Sequence, residues 1–159
     1  MAIAVLMRRV SPEDVARGPE HLESGFGAAT DNEAEAGLLC RLGREWAFVD
    51  LALTGDRHTS GALAGLVVLG GDPLARVGPA DQDMIIVLDV EKTAVAAAYL
   101  GDIDPEALIE QHRPQLTERA GGALPDALLA GIRQHLEDLQ GFYTAAAKAG
   151  QAVAKRTYV

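Results

Sequence analysis

Apolar residues recur along this chain with two periods, and their alternation with glycine, proline and acidic caps predicts most of its elements. Ile3 to Val10 reads as a short strand ending at a turn. Ser11-Pro12-Glu13-Asp14 then has the order of a helix start: a serine cap, proline at the first helical position and acids in the first turn. Gly18-Pro19 breaks that helix, and the glycine-rich stretch Glu23 to Asn32 reads as loop. A long helix is expected from about Glu33 to Leu53, because Leu38, Leu42, Trp46, Val49 and Leu53 repeat at helical spacing. Phe48, Leu51 and Ala52 widen its apolar surface, and Thr54-Gly55 ends it. Ala62 to Leu69 is a short apolar segment stopped by Gly70-Gly71, with a slight preference for helix.

Met84 to Leu88 is a continuous Ile- and Val-rich run, the pattern of a buried strand. Asp89 caps a helix over Val90 to Leu100, and Asp104-Pro105-Glu106 opens a short one through about His112. The longest helix runs from Pro125 to Ala149. Leu128, Ile132, Leu136, Leu139, Phe142 and Tyr143 form its stripe, and Gly150 is its stop. Gln151 to Val159 reads as a terminal strand. About three strands, one at each end of the chain, and five or six helices predict an α+β fold: a small sheet covered by helices, in a single domain over 1–159.

Composition narrows the function classes. The 159 residues are 48% hydrophobic and 23% charged, within the globular range, and aromatics are only 4%, so the core is built from Leu, Val, Ile and Ala. A formal charge of −9 argues against nucleic acid, which needs a basic patch, and against an anionic membrane surface. A basic protein partner is permitted. The apolar N-terminus precedes Arg8 and Arg9 instead of following them, unlike a signal peptide, and Leu63 to Leu69 is too short to span a bilayer. With Cys40 as the only cysteine, the expected setting is a reducing bacterial-type cytoplasm.

Catalytic and metal-binding signatures are not found. His21, His58, His112 and His135 are scattered, without the spacing of a zinc protease, and His135 beside the long helix's stripe reads as a satisfied packing residue. Cys40, in Leu38-Leu39-Cys40-Arg41-Leu42, reads as a small hydrophobe on a buried helix. Gly65 to Gly71 lacks the Lys-Ser/Thr of a phosphate loop, and Gly25-Phe26-Gly27 and Gly121-Gly122 read as turns. The Asp81/Asp83 and Asp102/Asp104 pairs do not continue into a calcium loop, and Asp104 reads as a helix cap. No catalytic residue, metal or cofactor is expected. One arrangement stands out. Asp50 is the only charge between Trp46 and Leu53, and Trp46, Asp50 and Thr54 share one helix face at four-residue steps. The following loop carries Asp56, Arg57 and His58, so these six residues are the candidate binding site. A carboxylate beside Arg and His suits a ligand site or an acid–base pair; a structural ion pair fixing loop to helix is the weightier alternative.

Arg44-Glu45-Trp46-Ala47-Phe48-Val49-Asp50-Leu51-Ala52-Leu53-Thr54-Gly55 resembles the tryptophan-bearing helix of the bacterial YfbM-like family, which ends in Leu-Thr-Gly. The likeness continues through Leu63 to Gly71, through Asp89 to Leu108, and through Phe142-Tyr143 and Gly150-Gln151-Ala152-Val153, and is densest between about 44 and 110. The resemblance implies a small α+β protein of a family without an assigned reaction. Family members often carry His on the tryptophan helix where this chain has Asp50, so a mechanism built on that histidine would not transfer.

Two functions follow as expectations. The first is a non-catalytic binding module acting on a protein partner or on itself; an immunity-type role, in which an acidic protein masks a toxin, is one version. The second is a small-molecule-binding protein or hydrolytic enzyme with a pocket around Trp46, Asp50, Asp56 and His58.

Overall fold

The computed structural model describes residues 4–29, 31–55 and 63–159. Its centre is an antiparallel five-stranded sheet in the order β2-β1-β5-β4-β3, with β1 at Ala4–Val10, β2 at Leu39–Leu42, β3 at Asp72–Val77, β4 at Asp83–Leu88 and β5 at Ala152–Tyr158. The two terminal strands are neighbours in the middle of the sheet, in continuous register from Ala4↔Tyr158 to Val10↔Ala152. Eight α-helices accompany it among the described residues: α1 (Pro12–Ala16), α2 (Pro19–Gly27), α3 (Asp31–Glu35), α4 (Trp46–Thr54), α5 (Val90–Asp102), α6 (Pro105–Gln111), α7 (Arg113–Arg119) and α8 (Asp126–Lys148).

Strand alternation divides the core in two. On one face Val5, Met7, Cys40, Leu42, Leu88 and Val153 pack against α4–α8, and on the other Leu6, Val10, Leu39, Ile85, Val87, Ala152 and Ala154 pack with Leu22 and Phe26 of α2. The stripe of α8 is buried as expected at Ile132, Leu136, Leu139, Phe142 and Tyr143, with Leu128 half-buried. Each Leu- or Phe-sized side chain so removed from water contributes about 1.5–3 kcal/mol. No helix among the described residues is long and apolar enough to cross a membrane.

The local start signals hold. Ser11 Oγ accepts from Asp14 N at 3.1 Å while the Asp14 carboxylate accepts from Ser11 N at 3.4 Å, closing a capping box. Asp89 accepts from Lys92 N at 2.7 Å, and Asp104 from Glu106 N at 3.0 Å.

The sheet is larger than the three expected strands, and the reasons are local. The expected helix 33–53 is α3, β2 and α4 in succession. Leu38 and Leu42 fit a helical period by coincidence; Cys40 and Leu42 face one side and Leu39 the other, the period of a strand paired with β1. Gly37, at φ +74°, ends α3 in the left-handed conformation that residues with a Cβ avoid. Cys40 therefore lies on a strand and not on a helix. The loop expected over 23–32 is helical through Gly27, and α7 occupies a stretch given no element. The segment after Ala62 is a 3-10 turn at Leu63–Leu66. β3 escaped notice because Pro73 argues against a strand; it is an edge strand whose register shifts between Pro73 and Ala75, where the missing N–H is tolerated.

Candidate functional site

Helix α4 follows β2 at once and sinks Ala47, Val49, Leu51, Ala52 and Leu53 into the core. Trp46, Asp50 and Thr54 remain half-buried on one face, as their spacing requires. Thr54 Oγ1 donates to the Asp50 carbonyl at 2.8 Å, the back-bonding habit of a helical threonine. Asp56, Arg57 and His58 lie outside the described residues.

Asp50 has a neighbour that the spacing of α4 could not reveal. Lys155 of β5 points toward the same helical layer as Val153 and is fully buried. Its Nζ donates to Gly70 O at 2.7 Å and to Leu66 O. Burial pushes the lysine well below its usual range, and the Asp50 carboxylate acts against that fall. Tyr143 on α8 adds a third anchor, its hydroxyl donating to Val67 O at 2.6 Å, and burial raises the phenol well above its ordinary value. The glycine-rich stretch 65–71 is thus the reverse of a phosphate loop: it turns carbonyls, not amides, toward its ligand, and that ligand is the amine of the chain's own Lys155. Its tightness needs glycine, because a Cβ at Gly70 would stand 2.3 Å from Gly65 O. A signal for Lys155 was present in the period of β5, where it falls on the same face as Val153, but only the fold shows what it meets.

His112 also escaped the reading of spacing. It joins α6 to α7, and its Nδ1 donates to Ala52 O at 2.6 Å near the end of α4. Gly55 caps α4 at φ +68°, and a Cβ there would stand 2.6 Å from His112 Nε2. Gly55→Ala therefore combines left-handed strain with displacement of the imidazole, and an expected loss of about 2–4 kcal/mol is checked by urea denaturation.

Other candidate groups have structural partners or are sealed. The Cys40 thiol is pushed up to about 12 by burial and then by the Asp138 charge, so it stays protonated at neutral pH. His135 departs from the expected satisfied role. Its Nε2 is 3.2 Å from Glu45 Oε2, but its buried Nδ1 has no hydrogen-bond partner among the described residues. His21 Nε2 lies 2.9 Å from Asp14 Oδ1, and that bond, with those from Ser11, holds Asp14 below the usual carboxylate range. Asp83 is buried against Arg156, so the Asp81/Asp83 pair is divided between a structural carboxylate and an exposed one. Among the described residues no three His, Cys, Asp or Glu side chains gather as a metal site.

The family described as a domain of unknown function, DUF1877, matches residues 1–155 of the chain. The fold is similar to that of a protein of unknown function, YfbM from Escherichia coli, with a TM-score of 0.65 and 18% identity over 97% of this chain and 99% of that one. No curated protein matches the sequence.

Proposed function

The chain belongs to the DUF1877 family, and from that premise we propose that it is a non-catalytic binding module, one domain acting on a protein partner in the cytoplasm. The state of its reactive groups carries this reading. The Cys40 thiol is held protonated, the Tyr143 hydroxyl is committed to Val67 O, and Lys155 Nζ to two carbonyls. Groups so engaged and buried are closed to a substrate. The recognition face in this proposal is the half-buried row Trp46, Asp50 and Thr54, and Asp56, Arg57 and His58, which follow in the sequence, are proposed to belong to the same site. Tryptophan is among the residues enriched in binding hot spots. With a net charge of −9 the suited partner is basic, and masking a toxin is one form of such a role.

Native mass spectrometry of the protein purified gently from its own cytosol tests the reading. The expected result is a complex heavier by one protein, weakened roughly tenfold or more by Asp50→Asn, as for loss of one charge-assisted contact. A small-molecule adduct lost in the same variant would replace it with the second reading, a small-molecule-binding protein or hydrolase. One observation favours that alternative: a buried lysine lowered by burial and opposed by a nearby carboxylate is a pattern found at acid–base sites.

A further inference from the structure

The two edges of the sheet are built differently. At β3 the edge is guarded: Pro73 removes a donor, the register shifts beside it, and Lys92 Nζ reaches Asp72 at 2.7 Å. Such features block the addition of another strand. At β2 there is no proline and no bulge, and the pairing with β1 is regular from Val5↔Leu42 to Arg8↔Leu39. Arg9 N donates to Leu38 O at 3.0 Å, which sets the alternation. Leu38, Cys40 and Leu42 direct their backbone groups to β1, and Leu39 and Arg41 direct theirs outward. No strand among the described residues pairs with that outer side.

Grooves flank this edge on both faces of the sheet. Toward α8 lies one of about 530 Å³, whose walls include Glu137, Asp138 and Gly141. Arg9 and Arg41 also line it, but the Arg9 guanidinium is engaged by Gln151 Oε1 at 2.8 Å, and Arg41 shares the strand face of Leu39, away from α8. On the other face a groove of about 290 Å³ has Leu6, Phe26, Ala29 and Tyr158 in its walls, with Arg41 at its side. Successive side chains of an added strand point to opposite faces, so one set would meet the carboxylates of α8 and the other the apolar walls. We infer that the outer edge of β2 is a docking site for an extended, basic segment of a partner protein, with lysine or arginine alternating with apolar residues. Main-chain pairing to Leu39 and Arg41 supplies affinity, and the two grooves supply the pattern. A second copy of this chain is a poor occupant, since it would bring another charge of −9 and another Glu137–Asp138 pair to the same edge. The inference rests on the binding-module reading and gives it an interface distinct from the row on α4.

Fluorescence anisotropy with a labelled, capped peptide of alternating lysine and valine tests the site, with alternating glutamate and valine as control. The expected result is binding of the basic peptide alone. Affinity should fall roughly tenfold or more in Glu137→Lys/Asp138→Lys, which changes two exposed helical positions and spares the core. It should fall similarly in Arg41→Pro, which removes an outward donor, and stay unchanged in Leu74→Lys on the β3 edge. Circular dichroism checks that Arg41→Pro folds; the charge reversal decides the matter if it does not. Absence of binding, equal binding of both peptides, or binding that survives the charge reversal overturns the inference. So does a dimer that Arg41→Pro dissolves, for then the occupant is a second copy. The readings fail separately: a native partner complex that withstands the β2 and α8 variants removes only this interface, whereas a bare chain in native mass spectrometry removes the module.

Discussion

Lys155→Met lowers the unfolding free energy by about 3–5 kcal/mol, since two carbonyls lose a buried donor at roughly 1–3 kcal/mol each. The variant fills the same space but leaves Leu66 O and Gly70 O without the Lys155 donor. For a chain of 159 residues the loss corresponds to a fall in Tm of roughly 6–20 °C. Hydrogen exchange should show the amides of 66–70 losing protection before those of the sheet, because the segment then keeps its Tyr143 bond but not its bonds from Lys155. The pH dependence has a definite sign. Burial lowers the folded-state pKa below the ordinary 10.5, so between the two values the unfolded chain binds the proton and the folded chain does not. Stability contributed by this group therefore rises with pH across that window, and the penalty for burying the charge is fully present below the folded pKa. Urea denaturation of wild type and variant from neutral to alkaline pH should show the gap between them widening. A narrowing gap would mean that the carbonyls and Asp50 outweigh desolvation.

Arg156→Met carries a comparable loss, about 3–5 kcal/mol, because it strands a buried carboxylate. Asp83 accepts from Arg156 Nε at 3.1 Å and from its terminal nitrogen at 2.7 Å, and its other oxygen accepts from Val159 N at 3.2 Å. Arg156 also lies 3.8 Å from Glu23 and stacks at 4.8 Å over the Tyr158 ring. One guanidinium therefore ties β5 to β4 and to α2. Thermal unfolding measures the loss, and Arg156→Met combined with Asp83→Asn should recover part of it, since the stranded charge is then gone. If the double variant is no more stable than the single one, packing on Tyr158 and not the ion pair is the larger contribution.

What was legible in the sequence follows from how far each signal reaches. Ser11, Asp89 and Asp104 cap the helices they announce, because a cap involves only residues a turn away. The stripe of α8 was readable since a long helix repeats its period enough times to exclude coincidence. Four residues at Leu39–Leu42 do not, and there the helical reading failed. In the candidate site, the shared face of Trp46, Asp50 and Thr54 was set by helical geometry alone. Lys155 was not legible as a neighbour of Asp50, nor His112 as a partner of Ala52, for even the latter pair is 60 residues apart.

The sequence by itself determined an α+β chain, its helix starts, strands at both ends and the polar row on α4, all consequences of local backbone preferences and side-chain period. The tertiary structure alone decided that the terminal strands pair at the centre of the sheet. It also decided that β2 and β3 form the edges, one open and one guarded, and that Lys155 donates to carbonyls of the 66–70 turn with Asp50 in its electrostatic reach. These depend on non-local pairing, in which a buried charge or an open strand edge takes its meaning from partners that no neighbouring residue specifies.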